Sequence, residues 1–443
     1  MEVCVISKEH IKPSSPTPTP LKTYNLCLLD HLIPAPYAPI LLFYAGGIDL
    51  FRLKQSLSET LTCFYPLAGK IGSEISINCD DGGALFVETR VNCSLSEFLS
   101  DPDIAALREL LPCELGPRES YVGTEVTNVQ FNLFEDGGAA VGICISHRIL
   151  DGAGLGSFFR EWSAIARGEN LEAVPNFSAS SVFPGDSLWL RESLMGFWSS
   201  MFRTGKGVTK RFLFDSAGIV VLKDLAVASN IEKPSRVEVV SAFIWERLMA
   251  ASRKLNGGKQ RPSVLTHIVN LRKRTRPPMS DDSLGNIIWI AGARCRKDDP
   301  DISVGTLAGN LRRSIQAIDS HFINLLKDGD VETVANKLHE VTIRSTSEDD
   351  SVDRIGFSSW CNFGYYETDF GLGRPIWVSA VGMDAEVFMN LVILADTRDR
   401  KGVEAWITLA EAEMSLLEQD EEMVRFASLN PSPLKSINRS GRF

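Results

Sequence analysis

The segment Ala139-Ala-Val-Gly-Ile-Cys-Ile-Ser-His-Arg-Ile-Leu-Asp-Gly-Ala-Gly154 joins an apolar run to a short polar turn. The run is typical of a buried strand, and the apolar spacing of residues 153–167 predicts a helix directly after the turn. His147 therefore lies at a corner between a strand and a helix, where the chain can hold a side chain rigidly at an interior cleft. Its ordinary pKa lies near working pH, so it can take a proton from a hydroxyl and later release it.

Asp151 follows His147 by four residues and is placed to brace the corner or to hold a nearby arginine. The spacing is weak on its own, because a histidine hydrogen-bonded in a tight turn has the same pattern. The residues of the corner alone leave a functional and a structural histidine equally open.

The flanking segments mix strands and helices. Residues 125–134 predict a strand that forms a hairpin with 139–146 through the turn Glu135-Asp-Gly-Gly138. Upstream, the leucine spacing from residue 50 to 61 predicts a helix. Two short strands are expected at 75–79 and 84–88, and a brief helix at 104–111.

Residues 169–187 are rich in Asn, Ser, Pro and Gly and have no clear period, which indicates the start of a crossover. Beyond it, helices are predicted at 219–229, 238–255, 303–326, 331–345 and 410–427, and strands at 263–270, 286–293, 376–382, 388–395 and 402–409. The expected fold class is α/β, with two comparable domains at 1–180 and 211–443 and a crossover linker at 181–210.

Composition excludes several classes of protein. The formal charge of −10 argues against nucleic acid as a partner. Nine scattered cysteines without a C-x-x-C pair favour reduced thiols in a cytoplasmic protein over disulfides or a zinc site, so no metal is expected. No apolar run approaches 18 residues and the first twenty residues lack a hydrophobic core, so neither a membrane span nor a secretory signal is expected.

Three further stretches could carry chemistry. Gly371 and Gly373 lie in a turn that lets the backbone approach a ligand, although a plain structural loop is equally compatible. The basic turn 270–277 has four cations and could hold phosphate, or it could be a solvated turn. Gly185-Asp-Ser-Leu188 spells a serine-hydrolase signature, but it lies in the expected linker rather than after a strand near the start of the chain, which argues against catalysis.

Taken together, these motifs resemble those of the plant BAHD acyltransferases along nearly the whole chain. The two hallmarks of that family are His-x-x-x-Asp-Gly, here His147 to Gly152, and Asp-Phe-Gly-Trp-Gly, here Asp369-Phe-Gly-Leu-Gly373. Secondary features of the family occur in order: Tyr65-Pro-Leu-Ala-Gly-Lys70, Val129-Gln-Phe131, Ser235-Arg-Val-Glu238, Ala242-Phe-Ile-Trp245, Asn270-Leu-Arg-Lys-Arg274, Gly285-Asn286 and Ser358-Ser-Trp360. The stretch Tyr24-Asn-Leu-Cys-Leu-Leu-Asp30 is most similar to alkaloid O-acetyltransferases of the vinorine synthase type.

The resemblance implies two chloramphenicol-acetyltransferase-like domains with an active-site channel at their interface. Acetyl-CoA, or another acyl-CoA, would be the co-substrate of a monomer without a permanently bound cofactor, and a small alcohol, most of all an alkaloid, would be the acceptor. The implied catalytic residues are His147, Asp151 and Asp369, with Asp369 pairing with Arg272 or Arg274 of the basic turn. The implied coenzyme-binding residues are Arg272, Arg274, Asn286, Gly371, Leu372 and Gly373.

The resemblance also implies direct attack of the acceptor hydroxyl on the thioester, with His147 as general base. Leu372 departs from the family pattern, in which a tryptophan has been assigned in some members to stabilising the oxyanion. Two alternatives remain: a hydrolase or non-acylating cyclase that uses the same histidine without coenzyme A, and a non-catalytic binding protein on the same scaffold.

Overall fold

The structure is a computed structural model. It describes residues 1–47, 49–113, 120–169, 173–185, 189–328, 336, 352–371, 373–382 and 386–435, except for the side chains of residues 189, 190, 193 and 195. Its strands in chain order are β1 (Val3–Ile11), β2 (Thr23–Asn25), β3 (Tyr37–Tyr44), β4 (Lys70–Ser73), β5 (Ser76–Asn78), β6 (Ala84–Val91), β7 (Thr127–Phe134), β8 (Ala139–Ser146), β9 (Phe202–Thr204), β10 (Gly207–Phe214), β11 (Ser263–Asn270), β12 (Ile288–Cys295), β13 (Asp353–Ser359), β14 (Trp377–Ser379), β15 (Val387–Met389), β16 (Leu391–Asp396), β17 (Val403–Ala410) and β18 (Ala427–Leu429).

The helices lie mainly on the faces of the sheets. They are α1 (Leu50–Cys63), α2 (Leu95–Ser100), α3 (Gly152–Ala166), α4 (Ala179–Val182), α5 (Trp189–Met201), α6 (Ser216–Ala228), α7 (Arg236–Leu255), α8 (Val304–Gln316), α9 (Ser320–Lys327), α10 (Glu411–Glu418) and α11 (Glu421–Phe426).

The first large sheet has six strands in the order β1-β6-β7-β8-β3-β14, and only β6 and β7 run parallel. Strand β8 is buried on both faces, which explains why its sequence is a continuous apolar run rather than an alternating one. Val141, Ile143 and Ile145 pack into the core beneath α1 and α3, whereas Ala140 and Cys144 pack into a second cluster on the opposite face. The corner that carries His147 therefore follows one of the most thoroughly buried strands of the fold.

The second large sheet has seven strands in the order β12-β11-β13-β16-β17-β10-β18, and it packs against α6, α7, α8 and α10. The two sheets are joined because β14 comes late in the chain yet pairs with β3 of the first sheet. Trp377 on β14 stacks on Trp406 of the second sheet at a ring distance of 5.9 Å, and its indole N–H donates to Glu404 at 3.2 Å. These contacts are buried and join the two halves of the protein.

The α/β class with two sheet-rich halves is confirmed, and the hairpin 125–134/139–146 and strand 263–270 appear as β7, β8 and β11. Two predicted helices are wrong in extent. The helix predicted at 303–326 divides into α8 and α9, because Asp319 accepts the backbone N–H of Phe322 at 2.9 Å and starts a new helix. Likewise 410–427 divides at Asp420, which caps α11. The helix predicted at 331–345 and most of the Gly-Asp-Ser-Leu motif lie outside the described residues.

Several elements were missed by the sequence analysis, among them β1, β3, β10, β13 and the helices α2 and α5. Helix α5 lies within the segment predicted as a linker, where it buries Leu194, Phe197 and Met201. These residues have helical spacing, but the polar stretch before them concealed the pattern.

Candidate active site

The corner after β8 is fixed by backbone and hydroxyl contacts on both sides of His147. The His147 N–H donates to the carbonyl of Pro36 at 2.8 Å. The hydroxyl of Ser146 lies 2.6 Å from that of Ser120. On the other side, Asp151 caps α3 by accepting the N–H of Gly154 at 2.9 Å. The backbone that carries the histidine is therefore held before any substrate binds.

His147 is oriented by Asn286, which comes from the loop between β11 and β12 in the second half of the chain. The Nδ1 atom of His147 lies 3.0 Å from Oδ1 of Asn286. The amide nitrogen of Asn286 donates to the His147 carbonyl at 2.8 Å and to Asp30 at 2.9 Å, and both of these partners can only accept. The amide orientation is thus determined by its surroundings, and Oδ1 must accept a hydrogen from Nδ1.

This arrangement determines the tautomer of the neutral imidazole. Because Nδ1 carries the hydrogen, Nε2 of His147 has a free lone pair. Burial lowers the pKa of His147 below its ordinary value, so the ring is neutral at pH 7. The geometry gives a neutral base with one defined acceptor atom, which is what proton abstraction from a hydroxyl requires.

Asp30 lies behind Asn286 and was not identified as a site residue from the sequence. It is 3% exposed and belongs to a short 3₁₀ turn at Leu28–His31. Its Oδ1 accepts the backbone N–H of Asn286 at 2.7 Å as well as the amide, and its Oδ2 accepts the N–H of Cys27 at 2.8 Å. Burial raises the pKa of the Asp30 carboxyl to about 6. No local pattern marks this residue, because 256 residues separate it from Asn286.

Asp151 holds Arg272, one of the two alternatives left open for it by the sequence. Two guanidinium nitrogens of Arg272 lie 2.7 and 3.0 Å from the two carboxylate oxygens. The guanidinium also donates to the carbonyl of Ser283 at 2.8 Å, and Asp151 accepts the N–H of Ile287 at 3.1 Å. The pair therefore fastens the loop that carries Asn286 to the strand-helix corner that carries His147.

The comparisons with known proteins agree with these motifs. Residues 1–424 match the model of the Transferase family, that of the BAHD acyltransferases. The chain belongs to this family. It is an acyltransferase, and it is 41% identical to the epi-neemfruitin B 7-O-acetyltransferase of Melia azedarach over 98% of this chain and 100% of that relative.

Two further comparisons support the same family. The acyltransferase is 37% identical to stemmadenine O-acetyltransferase of Catharanthus roseus over 94% of this chain and 96% of the relative. Its structure superimposes on the crystal structure of vinorine synthase with a TM-score of 0.79 and 31% identity, covering 96% of this chain and 99% of that one.

The acyltransferase does not pair Arg272 with Asp369 as the resemblance implied, because Arg272 pairs with Asp151. Its predicted role in binding the coenzyme stays a prediction. Its side chain is fully buried, and its donors are taken by Asp151 and by carbonyls of its own loop. Asn286 was also predicted to bind the coenzyme, but it is fully buried and positions His147 instead.

Arg274 contacts backbone carbonyls at the end of a helix, and its predicted phosphate contact stays a prediction. Its guanidinium donates to the carbonyls of Ile315 and Ile318 at 3.0 and 2.9 Å, at the end of α8. A cation at this position satisfies carbonyls that have no partner within the helix. The basic turn therefore stabilises the fold around the site.

Asp369 lies at the far end of α3 from His147, and its carboxylate contacts backbone groups of its own turn. Its carboxylate accepts the N–H groups of Gly371 and Gly373 at 2.8 and 2.9 Å, and its carbonyl accepts Arg167 at 2.8 Å. Arg167 follows the last residue of the 15-residue helix α3, which spans about 22 Å. Both glycines have positive φ, of 105° and 99°, so this turn requires them for its backbone shape. Leu372 lies outside the described residues.

Two other cations of the acyltransferase are more exposed than Arg272. Arg374 and Arg400 both approach Glu367, at 4.0 and 2.7 Å, and their side chains are 64% and 50% exposed. Within the described part of the chain, no three His, Cys, Asp or Glu side chains are grouped to hold a metal ion. None of the helices described is both long and apolar enough to cross a bilayer.

Proposed function

We propose that this acyltransferase moves an acetyl group from acetyl-CoA to a hydroxyl of a plant specialised metabolite, an alkaloid or a limonoid, with His147 as general base. The observation that carries the proposal is the hydrogen bond from Nδ1 of His147 to Asn286, which leaves Nε2 as the base. The names of the relatives support the donor and the attacked group, because the relatives from Melia azedarach and Catharanthus roseus are both named O-acetyltransferases.

The reaction needs no covalent intermediate on the enzyme, because a thioester is already activated. Nε2 of His147 takes the proton of the acceptor hydroxyl as the oxygen attacks the thioester carbonyl. The tetrahedral intermediate then breaks its C–S bond, and the imidazolium returns the proton to the thiolate, which leaves an ester and free coenzyme A. General base catalysis contributes about 10²–10⁴-fold, and positioning of the two substrates contributes much of the remainder.

The leucine at position 372 is compatible with this mechanism. Gly371 and Gly373 on either side of it are bound to Asp369, at the far end of α3 from His147. The backbone donors of these two glycines are too distant to stabilise an oxyanion beside Nε2, since such donors act at about 2.7–3.1 Å. We infer that the motif supports the fold rather than the reaction, so the proposed mechanism does not depend on the residue at position 372.

A cavity of about 540 Å³ lies between the turn before β3 and helix α5, and it is our candidate for the acceptor side. His31, Pro34, Trp198 and Phe202 line it. Pro34 is two residues before Pro36, whose carbonyl holds the backbone of His147. Ligand pockets for small molecules commonly have volumes of about 300–1,000 Å³ and apolar walls with a few polar groups. The volume and the aromatic lining suit a fused polycyclic body.

His31 is one of the polar residues that line this cavity, together with Arg191, Ser199, Arg203 and Thr204. It is 3% exposed, and its Nε2 has no hydrogen-bond partner among the described residues. Burial, together with the nearby charges of Arg148 and Arg191, lowers the pKa of His31 to about 4, so the ring is neutral at pH 7. A neutral buried nitrogen without a partner suits a hydroxyl or carbonyl on the acceptor body.

Replacing His31 with leucine is expected to raise the KM for an oxygenated acceptor about tenfold, because one buried hydrogen bond is lost. The KM for acetyl-CoA should not change. Steady-state kinetics with each substrate varied in turn would measure both values. His321→Leu is the matched control, since this histidine is exposed on α9. If the KM for the acceptor is unchanged in His31→Leu, the acceptor does not bind in this cavity.

The activity itself is tested by release of free thiol from acetyl-CoA over a panel of alkaloid, limonoid and phenolic alcohols, with product mass recorded in parallel. We expect acceptor-dependent thiol release and a product heavier than the acceptor by one acetyl group. Acceptor conversion without coenzyme A would instead support the hydrolase or cyclase alternative. If no thiol is released from acetyl-, malonyl- or aromatic acyl-CoA and the acceptor still binds tightly, the result would support a non-catalytic binding protein.

A further inference from the structure

The carboxylate of Asp30 is held in an unusual environment for a buried charge. Three of its hydrogen bonds come from neutral N–H groups, two on Asn286 and one on Cys27, and the Cys27 thiol is a fourth neutral partner. None of the ion pairs found among the described residues includes Asp30, whereas buried carboxylates are usually paired with a cation. The charge is therefore balanced mainly by neutral dipoles, and one of them, the side-chain amide of Asn286, also contacts His147.

The chain of contacts from Asp30 to His147 has a consistent direction. The amide of Asn286 donates to Asp30 at 2.9 Å and accepts from Nδ1 of His147 at 3.0 Å. A negative charge at the donor end of an amide makes its oxygen a stronger acceptor, because hydrogen bonds in series polarise one another. A stronger acceptor at Nδ1 stabilises the imidazolium that forms when Nε2 takes a proton.

We propose that Asp30 is a positioning residue that acts through Asn286 to orient His147 and to strengthen it as a base. The three side chains form a carboxylate–amide–imidazole relay that joins a turn before β3, the loop before β12 and the corner after β8. No proton passes through the amide. The expected effect on the rate of acetyl transfer rests on the proposed function. The expected effect on the pKa and tautomer of His147 does not.

Other groups that face Asp30 do not take the place of His147 in this relay. Tyr24 and Cys27 lie on the same segment, and the Asp30 charge contributes to raising the pKa of each, so both stay neutral. From the second half of the chain, Asn286 and the backbone of Gly285 pack against the carboxylate. His147 is thus the group in this set that gains a charge during the proposed reaction.

The pH dependence follows from the same contacts. Since the pKa of Asp30 is raised to about 6, its charge is present above that value and is lost as the pH falls through it. Loss of the charge weakens His147 as a base, and His147 itself has a lowered pKa and is protonated at lower pH. The acid limb of kcat/KM should therefore contain two protonations, that of Asp30 near pH 6 and that of His147 below its ordinary value.

The test is the Asp30→Asn variant, examined by ¹⁵N NMR of histidine-labelled protein. The chain has six histidines, and the His147 signals can be assigned by their loss in His147→Ala. We expect the Nδ1–H tautomer in the wild type and a His147 pKa lower by about one unit in Asp30→Asn, because one charge at this distance is removed. With a reactive acceptor, kcat should fall about tenfold while the KM for acetyl-CoA stays the same.

Glu404→Gln is the matched control, because Glu404 is a buried carboxylate that contacts Trp377 rather than Asn286. It should leave the His147 pKa unchanged. A folded Asp30→Asn protein with an unchanged His147 pKa and tautomer would overturn the relay. If Asp30→Asn does not fold, a wild-type His147 titration without an inflection near pH 6 from Asp30 would overturn it equally. The NMR measurement tests the relay even if no acceptor for the acetyl group is found, because it does not depend on activity.

Discussion

Replacing His147 with alanine is expected to lower acceptor-dependent acetyl transfer about 10²–10⁴-fold, the range typical of a positioned general base. The reason is specific to this geometry. Asn286 fixes the hydrogen on Nδ1, so Nε2 is the ring atom that can take the hydroxyl proton, and alanine supplies no substitute. The rate of thiol release at saturating substrates would measure the loss directly.

Binding and folding should survive this substitution. The corner is held by the backbone N–H of His147 and by the Asp151 cap, neither of which needs the imidazole. Affinity for acetyl-CoA, measured by calorimetry, is therefore expected to stay within a few-fold of the wild type. His267→Ala is a matched control, because burial lowers the pKa of His267 as well, but this ring lies on β11 and its Nδ1 donates to the carbonyl of Ile268. If a folded His147→Ala protein keeps a tenth of the wild-type activity, His147 is not the general base.

The fold could be predicted where the sequence of a single strand or helix has a clear hydrophobic pattern of its own. Strand β8 is buried on both faces, so its sequence is apolar throughout and its end could be placed at Ser146. Strand β3 was missed although it is the direct neighbour of β8, because Pro39 interrupts a run that otherwise reads as a strand. Strand β1 was missed for another reason: it lies at the sheet edge and is mostly exposed, so it lacks an apolar pattern.

The site was predictable only in part, because its parts come from distant segments. His147 and Asp151 share one short motif, and their corner has the expected form. Asn286 was selected from the family pattern but assigned to the coenzyme, since 139 residues separate it from His147 and no spacing rule connects them. Asp30 was part of a recognised stretch without a role. A charged residue that looks exposed in sequence, such as Arg272, can be the most deeply buried member of its turn.

Arg272 carries the second large prediction, which concerns stability. Arg272→Met should destabilise the protein by about 3–5 kcal/mol, because removal of one partner leaves a buried charge without compensation. Asp151 is 4% exposed and Arg272 is fully buried, so water cannot replace the lost guanidinium without opening the loop. Urea unfolding followed by circular dichroism would measure the change. Arg276→Met is the matched control on the same basic turn, exposed to solvent and expected to change stability by no more than about 0.5 kcal/mol.

A double variant distinguishes the contribution of the buried ion pair to stability from that of side-chain packing. Asp151→Asn keeps an oxygen for the N–H of Gly154 but removes the charge, so combining it with Arg272→Met removes both charges from the interior. The double variant should be more stable than Arg272→Met alone, because the uncompensated carboxylate is then absent. If the two substitutions instead add, the pair contributes by packing alone. Because the same loop carries Asn286, loss of Arg272 should also loosen the His147 contact, so kcat should fall in parallel with stability.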